Sequence, residues 1–175
     1  MNKIINSDAL EALRTLPDSC CRTCITSPPY YRLRDYGADG QIGLEDTPDQ
    51  YIENLVKIFR EVRRVLKDDG TLWVNIGDSY TQKNLNGIPW LLAFALKADG
   101  WILRQDIIWN EPNAMPEQTT DRCAKSHEYI FFEQAAPVLL RRRSHKRARR
   151  RIWAGRHRTQ TGKLYKFSRR RRLHP

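Results

Sequence analysis

The sequence predicts an α/β domain built on a mainly parallel sheet. Short apolar runs rich in β-branched residues alternate with segments of helical period. Glycine, proline and aspartate punctuate the joints between them. At 175 residues the chain has the length of one domain and can bury a core.

The elements follow in order. Ala9 to Leu16 is a short helix candidate with Ser7 or Asp8 as N-cap. Residues 22–26 read as a strand and end in Thr26-Ser27-Pro28-Pro29-Tyr30. Residues 31–46, with Gly37, Gly40 and Gly43, read as a long loop. Thr47-Pro48 then opens the clearest helix, because threonine caps and proline suits the first helical position. Ile52, Leu55, Val56, Phe59, Val62 and Leu66 repeat at three- and four-residue steps. The helix is expected to stop at Lys67 to Gly70, with the glycine as C-cap. Residues 71–76 form a buried strand by composition and run into Gly77-Asp78-Ser79-Tyr80. Gly87-Ile88-Pro89 opens a second helix that Asp99-Gly100 stops. Residues 101–109 and 127–132 are strands, separated by a polar, proline-containing excursion. Strands alternating with helices put those helices on the faces of the sheet.

No run of about 18 apolar residues is present, which argues against a membrane span. The N-terminus lacks a signal-peptide apolar stretch, so a cytoplasmic location is expected. Cys20, Cys21, Cys24 and Cys123 lack the spacing of a disulfide framework or a metal site and are expected as small buried thiols, with no metal bound. The charge of +11 is unevenly placed. Residues 1–132 hold 15 Lys and Arg against 19 Asp and Glu, a net of −4. Residues 133–175 hold 16 against the single acid Glu133, a net of +15. Arginine blocks such as 141–143, 149–151 and 169–172 repel each other, so this tail is expected to be disordered.

The proline pair carries the chemistry. Two consecutive prolines neither continue a helix nor pair inside a sheet, so they stiffen the chain just beyond a strand end. In an open α/β sheet that is where ligands sit. A plain proline turn is the structural alternative. The pentapeptide Thr26 to Tyr30 also resembles the catalytic loop of DNA amino-methyltransferases, whose target, an exocyclic amine of cytosine or adenine, is a poor nucleophile because its lone pair is delocalised into the ring. Two acceptors that bind both amine hydrogens draw the nitrogen toward tetrahedral geometry. Ser27 Oγ and the Pro28 carbonyl, held by the prolines, can be those acceptors by preorganised polar stabilisation. Tyr30 offers a face on which a flipped base can stack.

The chain resembles the site-specific DNA methyltransferases of the N4-cytosine/N6-adenine group. The resemblance rests on residues 6–10, the TSPPY loop, residues 33–37, 41–45, 59–66, 70–73, 77–80 and 87–90, and on His127-Glu128-Tyr129-Ile130-Phe131. It covers residues 1–132, which would be a partial catalytic domain. The order is similar to the circularly permuted subclass, with the catalytic loop first and the cofactor glycine loop last. The resemblance implies an incomplete Rossmann-like, S-adenosyl-L-methionine-dependent methyltransferase fold. It implies Ser27, Pro28, Pro29 and Tyr30 as catalytic residues. It points to Asp8, Thr26 and Asp78 for the cofactor and to Arg34 and Tyr36 for double-stranded DNA. Helix capping for Asp8, a turn role for Asp78 and a loop role for Arg34 and Tyr36 stand beside those readings. His127 reads as a strand-start residue. The serine of the loop leans toward cytosine N4 by family habit. A cognate restriction endonuclease is the implied partner. An enzyme acting on a glutamine amide would have asparagine at position 27.

The chain departs from the family near position 133, and no G-x-G is present for the methionine end of the cofactor. Residues 133–148, back-translated and read in another frame, can spell a mixed-charge, aromatic-containing segment of the kind the family has there. The tail is therefore expected to be an out-of-frame translation. The alternatives are a genuine basic arm that grips phosphates, and a non-catalytic nucleic-acid-binding protein that uses it.

Overall fold

The computed structural model describes residues 3–115 and 117–135. The Arg-rich tail lies outside them from residue 136 onward. Helix α1 (Ala9–Arg14) is capped by Asp8 and leads to β1 (Cys21–Thr26). Helix α2 (Pro48–Val65) starts as the sequence predicts, with the Thr47 hydroxyl accepting from Gln50 N at 3.3 Å. It buries Tyr51, Ile52, Leu55, Phe59, Val62 and Val65. Arg64 ties it to the end of α1 and the connection before β1, donating to the Leu13 and Leu16 carbonyls at 2.9 Å each and to Asp18 Oδ1 at 2.5 Å.

Strand β2 (Leu66–Ile76) begins five residues before the expected strand, and α2 ends at Val65. Gly70 is thus inside the strand and is not a C-cap. The cause is a break in pairing: Cys21 faces Leu66, but Thr23 faces Thr71. Gly70 sits in the extra length, where a Cβ would lie 2.7 Å from the Lys67 carbonyl. After a two-strand ribbon of β3 (Tyr80–Thr81) and β4 (Asn84–Leu85), α3 (Ile88–Ala98) leads to β5 (Ile102–Asn110) and β6 (His127–Gln134). Strand β6 runs two residues past the composition break.

The four-stranded sheet has the order β1-β2-β6-β5. β1 is parallel to β2, β6 runs against β2, and β5 runs against β6. Three strands therefore point one way, but the reversed β6 is inserted between two of them, so only the β1–β2 pairing is parallel and the sheet is mixed where the sequence predicts a mainly parallel one. Residues 111–126 form no helix in their described positions, so β5 returns through β6 as a reversed neighbour and not by a βαβ crossover.

One core joins α2 and α3 to alternate residues of β2 (Leu72, Val74, Ile76) and to Phe131, with Leu13 of α1 packed against it. The sequence expectation of helices on both faces is met on this face only. On the other face, among the described residues, Trp73 stacks on Phe132 at 4.4 Å and Ile25 is 79 % exposed. The cysteines are free, but Cys20 and Cys123 are exposed and the other two half-buried, so the expectation of buried thiols is corrected. Surface connections carry Cys20 and Cys123, and Cys21 and Cys24 lie on the edge strand β1. No helix among the described residues is long and apolar enough to cross a membrane.

Candidate active site

Strand β1 ends at Thr26, and the prolines that follow carry no N–H to extend its ladder. The loop is then held from three sides. The Tyr51 hydroxyl of α2 donates to the Pro29 carbonyl at 2.7 Å. Leu33 N donates to the Tyr30 carbonyl at 3.2 Å, and Arg32 N to the Gly43 carbonyl at 2.6 Å. Gly43 lies at φ +106°, and a Cβ there would stand 3.1 Å from the Tyr30 carbonyl oxygen. Glycine permits both the conformation and the approach.

The Tyr30 side chain is held at its tip and its flank. Its hydroxyl donates to Glu128 Oε2 at 2.8 Å. Asn75 Nδ2 donates to the same Glu128 oxygen at 2.7 Å and to the Tyr30 hydroxyl at 3.2 Å. The ring edge lies against Gly77, where a Cβ would be 2.6 Å from Tyr30 Cε2. Burial raises the phenol well above its ordinary pKa, and the charge of Glu128 adds to that while the Ser27 hydroxyl opposes it. Tyr30 therefore stays neutral at physiological pH.

Two cavities share one wall. A cavity of about 300 Å³ is lined by Ser27, Pro28, Pro29 and Tyr30 together with Leu33, Arg34, Tyr36 and Glu128. It brings all four expected catalytic residues to the two expected DNA-facing ones. Arg34 and Tyr36 are exposed at its edge, on a loop closed by Gln41, which accepts from Tyr36 N and donates to the Arg34 carbonyl. A second cavity of about 390 Å³, mostly apolar, is lined by Ala9, Ala12 and Leu13 of α1, by Thr26 to Pro29, and by the side of α2. Ser27, Pro28 and Pro29 face both spaces. No described donor reaches the Pro28 carbonyl.

The two aspartates are placed differently. Asp8 Oδ1 accepts from Leu10 N at 2.9 Å and Glu11 N at 3.2 Å and so caps α1. Asp78 uses both oxygens on backbone: Oδ1 accepts from Ser79 N and Ile88 N, and Oδ2 from Gly87 N, which secures the start of α3. Neither lines the two cavities. His127 begins β6, edge-on to Tyr129 at 5.2 Å. Sequence reasoning missed Asn75 and gave Glu128 no role. A polar residue inside an apolar strand, on the same face as its partner across the sheet, is the signal that marks both.

The sequence profile of the DNA methylase family matches residues 21–167. The Type II methyltransferase M.XycI of Xanthomonas campestris pv. cyanopsidis is 50% identical over 158 residues, covering 74% of this chain and 53% of the relative. M.SmaI of Serratia marcescens is 51% identical over 159 residues, covering 74% and 54%. The chain thus spans about half the length of the curated relatives it matches. Among solved structures, the PvuII DNA methyltransferase (cytosine-N4-specific) superimposes with a TM-score of 0.62 at 17% identity, covering 74% of this chain and 48% of that one. The DNA modification methylase TTHA0409 of Thermus thermophilus, complexed with S-adenosyl-L-methionine, gives 0.59 at 24% identity, covering 74% and 54%. Both likenesses support the Rossmann-like methyltransferase fold. With its profile match over most of its length, this chain belongs to the N6/N4-type DNA methylase family.

Proposed function

We propose that this protein methylates an exocyclic amine of double-stranded DNA, cytosine N4 or adenine N6, within a specific sequence, with S-adenosyl-L-methionine as methyl donor. The observation that carries this is the wall of Ser27, Pro28 and Pro29 common to two cavities. A transfer between two bound molecules needs their reacting atoms side by side and in line, which residues lining both spaces can arrange.

The cavity of about 300 Å³ is at the small end of ligand pockets, a size suited to a single flipped base. Tyr30 stacks on that base. Ser27 Oγ and the Pro28 carbonyl accept its amine hydrogens and leave the lone pair aimed at the donor's methyl group, whose bond to sulfur breaks as the new N–C bond forms, with the amine proton released to solvent. Arg34 and Tyr36 meet the surrounding DNA, where a guanidinium contributes salt-dependent phosphate affinity. The serine at position 27 favours cytosine N4.

The second cavity fits the cofactor in part. Its apolar lining suits the adenosyl group and the methyl carried on sulfur. None of its lining residues is charged, so it offers no counter-charge to the methionine amino and carboxylate groups. When bound there, S-adenosyl-L-methionine supplies an electrophilic methyl. Thr26 contributes to that lining, and Asp8 acts by fixing α1, whose Ala9 and Ala12 complete it. Asp78 takes part only through the start of α3.

Residues 1–132 are proposed as the catalytic part and 133–175 as a segment translated out of frame. The buried Glu133 carboxylate at the junction, without a partner among the described residues, supports this. The gene sequence tests it, because a reading frame without a family-like continuation past codon 133 excludes the shift. The cytoplasm is the proposed location. The Type II relatives make a cognate restriction endonuclease the natural partner.

The test of activity is tritium transfer from labelled S-adenosyl-L-methionine to unmethylated bacterial genomic DNA, alongside isothermal titration of the cofactor. Wild type should transfer label, and Ser27→Ala should lower the rate by about a hundredfold or more. Equal rates in the two proteins refute the reading. Salt-sensitive DNA binding without transfer, lost when residues 141–175 are deleted, would replace it with the non-catalytic one.

A further inference from the structure

We propose that Glu128 is a positioning residue for base methylation: with Asn75 it sets the Tyr30 ring as the stacking floor of the base cavity. The assignment rests on the methyl-transfer reading of this site. The pleat of the sheet brings the residues together. In the β2–β6 ladder Asn75 faces Ile130, so Glu128, two residues from Ile130, lies on the same side of the sheet as Asn75. Tyr30 arrives from the end of β1 onto that side, and three hydrogen bonds close a triangle among the three side chains.

Each corner has a distinct job. Asn75 donates to Glu128 Oε2 and to the Tyr30 hydroxyl, so it fixes the carboxylate and the phenol together. Glu128 Oε2 accepts from both. A tyrosine ring has two rotatable angles, and an acceptor at its tip with backbone at its flank removes that freedom. Gly77 supplies the flank: any Cβ there would stand 2.6 Å from the ring. Glu128 Oε1 receives no hydrogen bond from the described residues, although the side chain lines the cavity. The same carboxylate thus holds the floor and offers an acceptor to whatever enters.

The experiment uses the full chain labelled with 3-fluorotyrosine. The Tyr30 signal is identified by its loss in Tyr30→Phe. Glu128→Ala should shift and broaden that signal and leave the other tyrosine signals in place, which also shows that the fold persists. Glu128→Gln, which retains an acceptor, should bring it back toward the wild-type position. In the tritium assay Glu128→Ala should lower kcat between about ten- and a hundredfold, with KM for DNA within about twofold, and Glu128→Gln should recover most of the loss. An unmoved Tyr30 signal in Glu128→Ala overturns the proposal. So does a moved signal with kcat preserved. A wild-type chain that transfers no label overturns the methyl-transfer reading instead, and the fluorine signals still decide whether Glu128 sets the ring.

Discussion

Replacing Glu133 by glutamine should stabilise the protein at neutral pH and flatten its dependence on pH. Glu133 is 1 % exposed, and neither carboxylate oxygen has a partner among the described residues. By register it sits on β6 between Leu72 of β2 and Leu103 of β5. Burial there pushes its pKa from 4.5 to about 8. Below 4.5 the carboxyl is protonated in both the folded and the unfolded chain and costs nothing extra. Between 4.5 and about 8 the unfolded chain has released a proton that the folded chain keeps, so stability falls as pH rises. Each unit is worth about 1.4 kcal/mol, which gives a loss of about 3 kcal/mol at pH 7 and about 5 kcal/mol by pH 8. Against a typical 5–15 kcal/mol for a domain, roughly, the effect is large. Urea unfolding followed by tryptophan fluorescence at pH 5 and pH 7 measures it, and the difference between wild type and Glu133→Gln cancels the other carboxylates. Wild type should lose about 3 kcal/mol more than the variant between the two pH values. Parallel curves for the two proteins would refute the reasoning, because they would mean that Glu133 is solvated or paired.

Three further substitutions test the architecture of the site. Gly77→Ala places a methyl group 2.6 Å from Tyr30 and should cost about 1–3 kcal/mol in urea unfolding, and displacing that ring should abolish methyl transfer. Tyr51→Phe removes the donor to the Pro29 carbonyl and should cost about 1 kcal/mol, with kcat falling more than cofactor affinity; an unchanged kcat would show that the prolines hold the loop unaided. Asp78→Ala leaves Gly87 N and Ile88 N without their acceptor and should lower stability by about 1–2 kcal/mol, while titration of S-adenosyl-L-methionine should give the wild-type Kd; a weakened Kd would return Asp78 to the cofactor.

The elements with strong local punctuation were legible in the sequence. Thr47-Pro48 and Gly87-Ile88-Pro89 fix the starts of α2 and α3, and the three- and four-residue spacing of apolar side chains fixes the buried face of α2. The proline pair marked the loop at the end of β1, and the structure gathers its four residues with Arg34 and Tyr36 around one cavity. The remainder depended on long-range contacts. The reversal of β6 leaves no mark in a strand's composition. The β3–β4 ribbon turns through Gln82 and Lys83 at positive φ, with no glycine to announce it. Gly70 looked like a helix stop because a glycine after a charged run has the same pattern in a helix end and in a strand irregularity. Asp8 and Asp78 show the same ambiguity, since an acid before a helix reads alike as cap and as ligand. Asn75 and Glu128 meet across 53 residues of chain, beyond the reach of local pattern.

The strip from Ser27 to Pro29 is a diaphragm of three residues between two chambers. A shift of this strip made by an occupant of one chamber would change the shape of the other. Occupants of the two chambers should therefore alter each other's affinity by equal factors, as thermodynamic reciprocity demands. The stiffness of the prolines sets how strongly that message is transmitted.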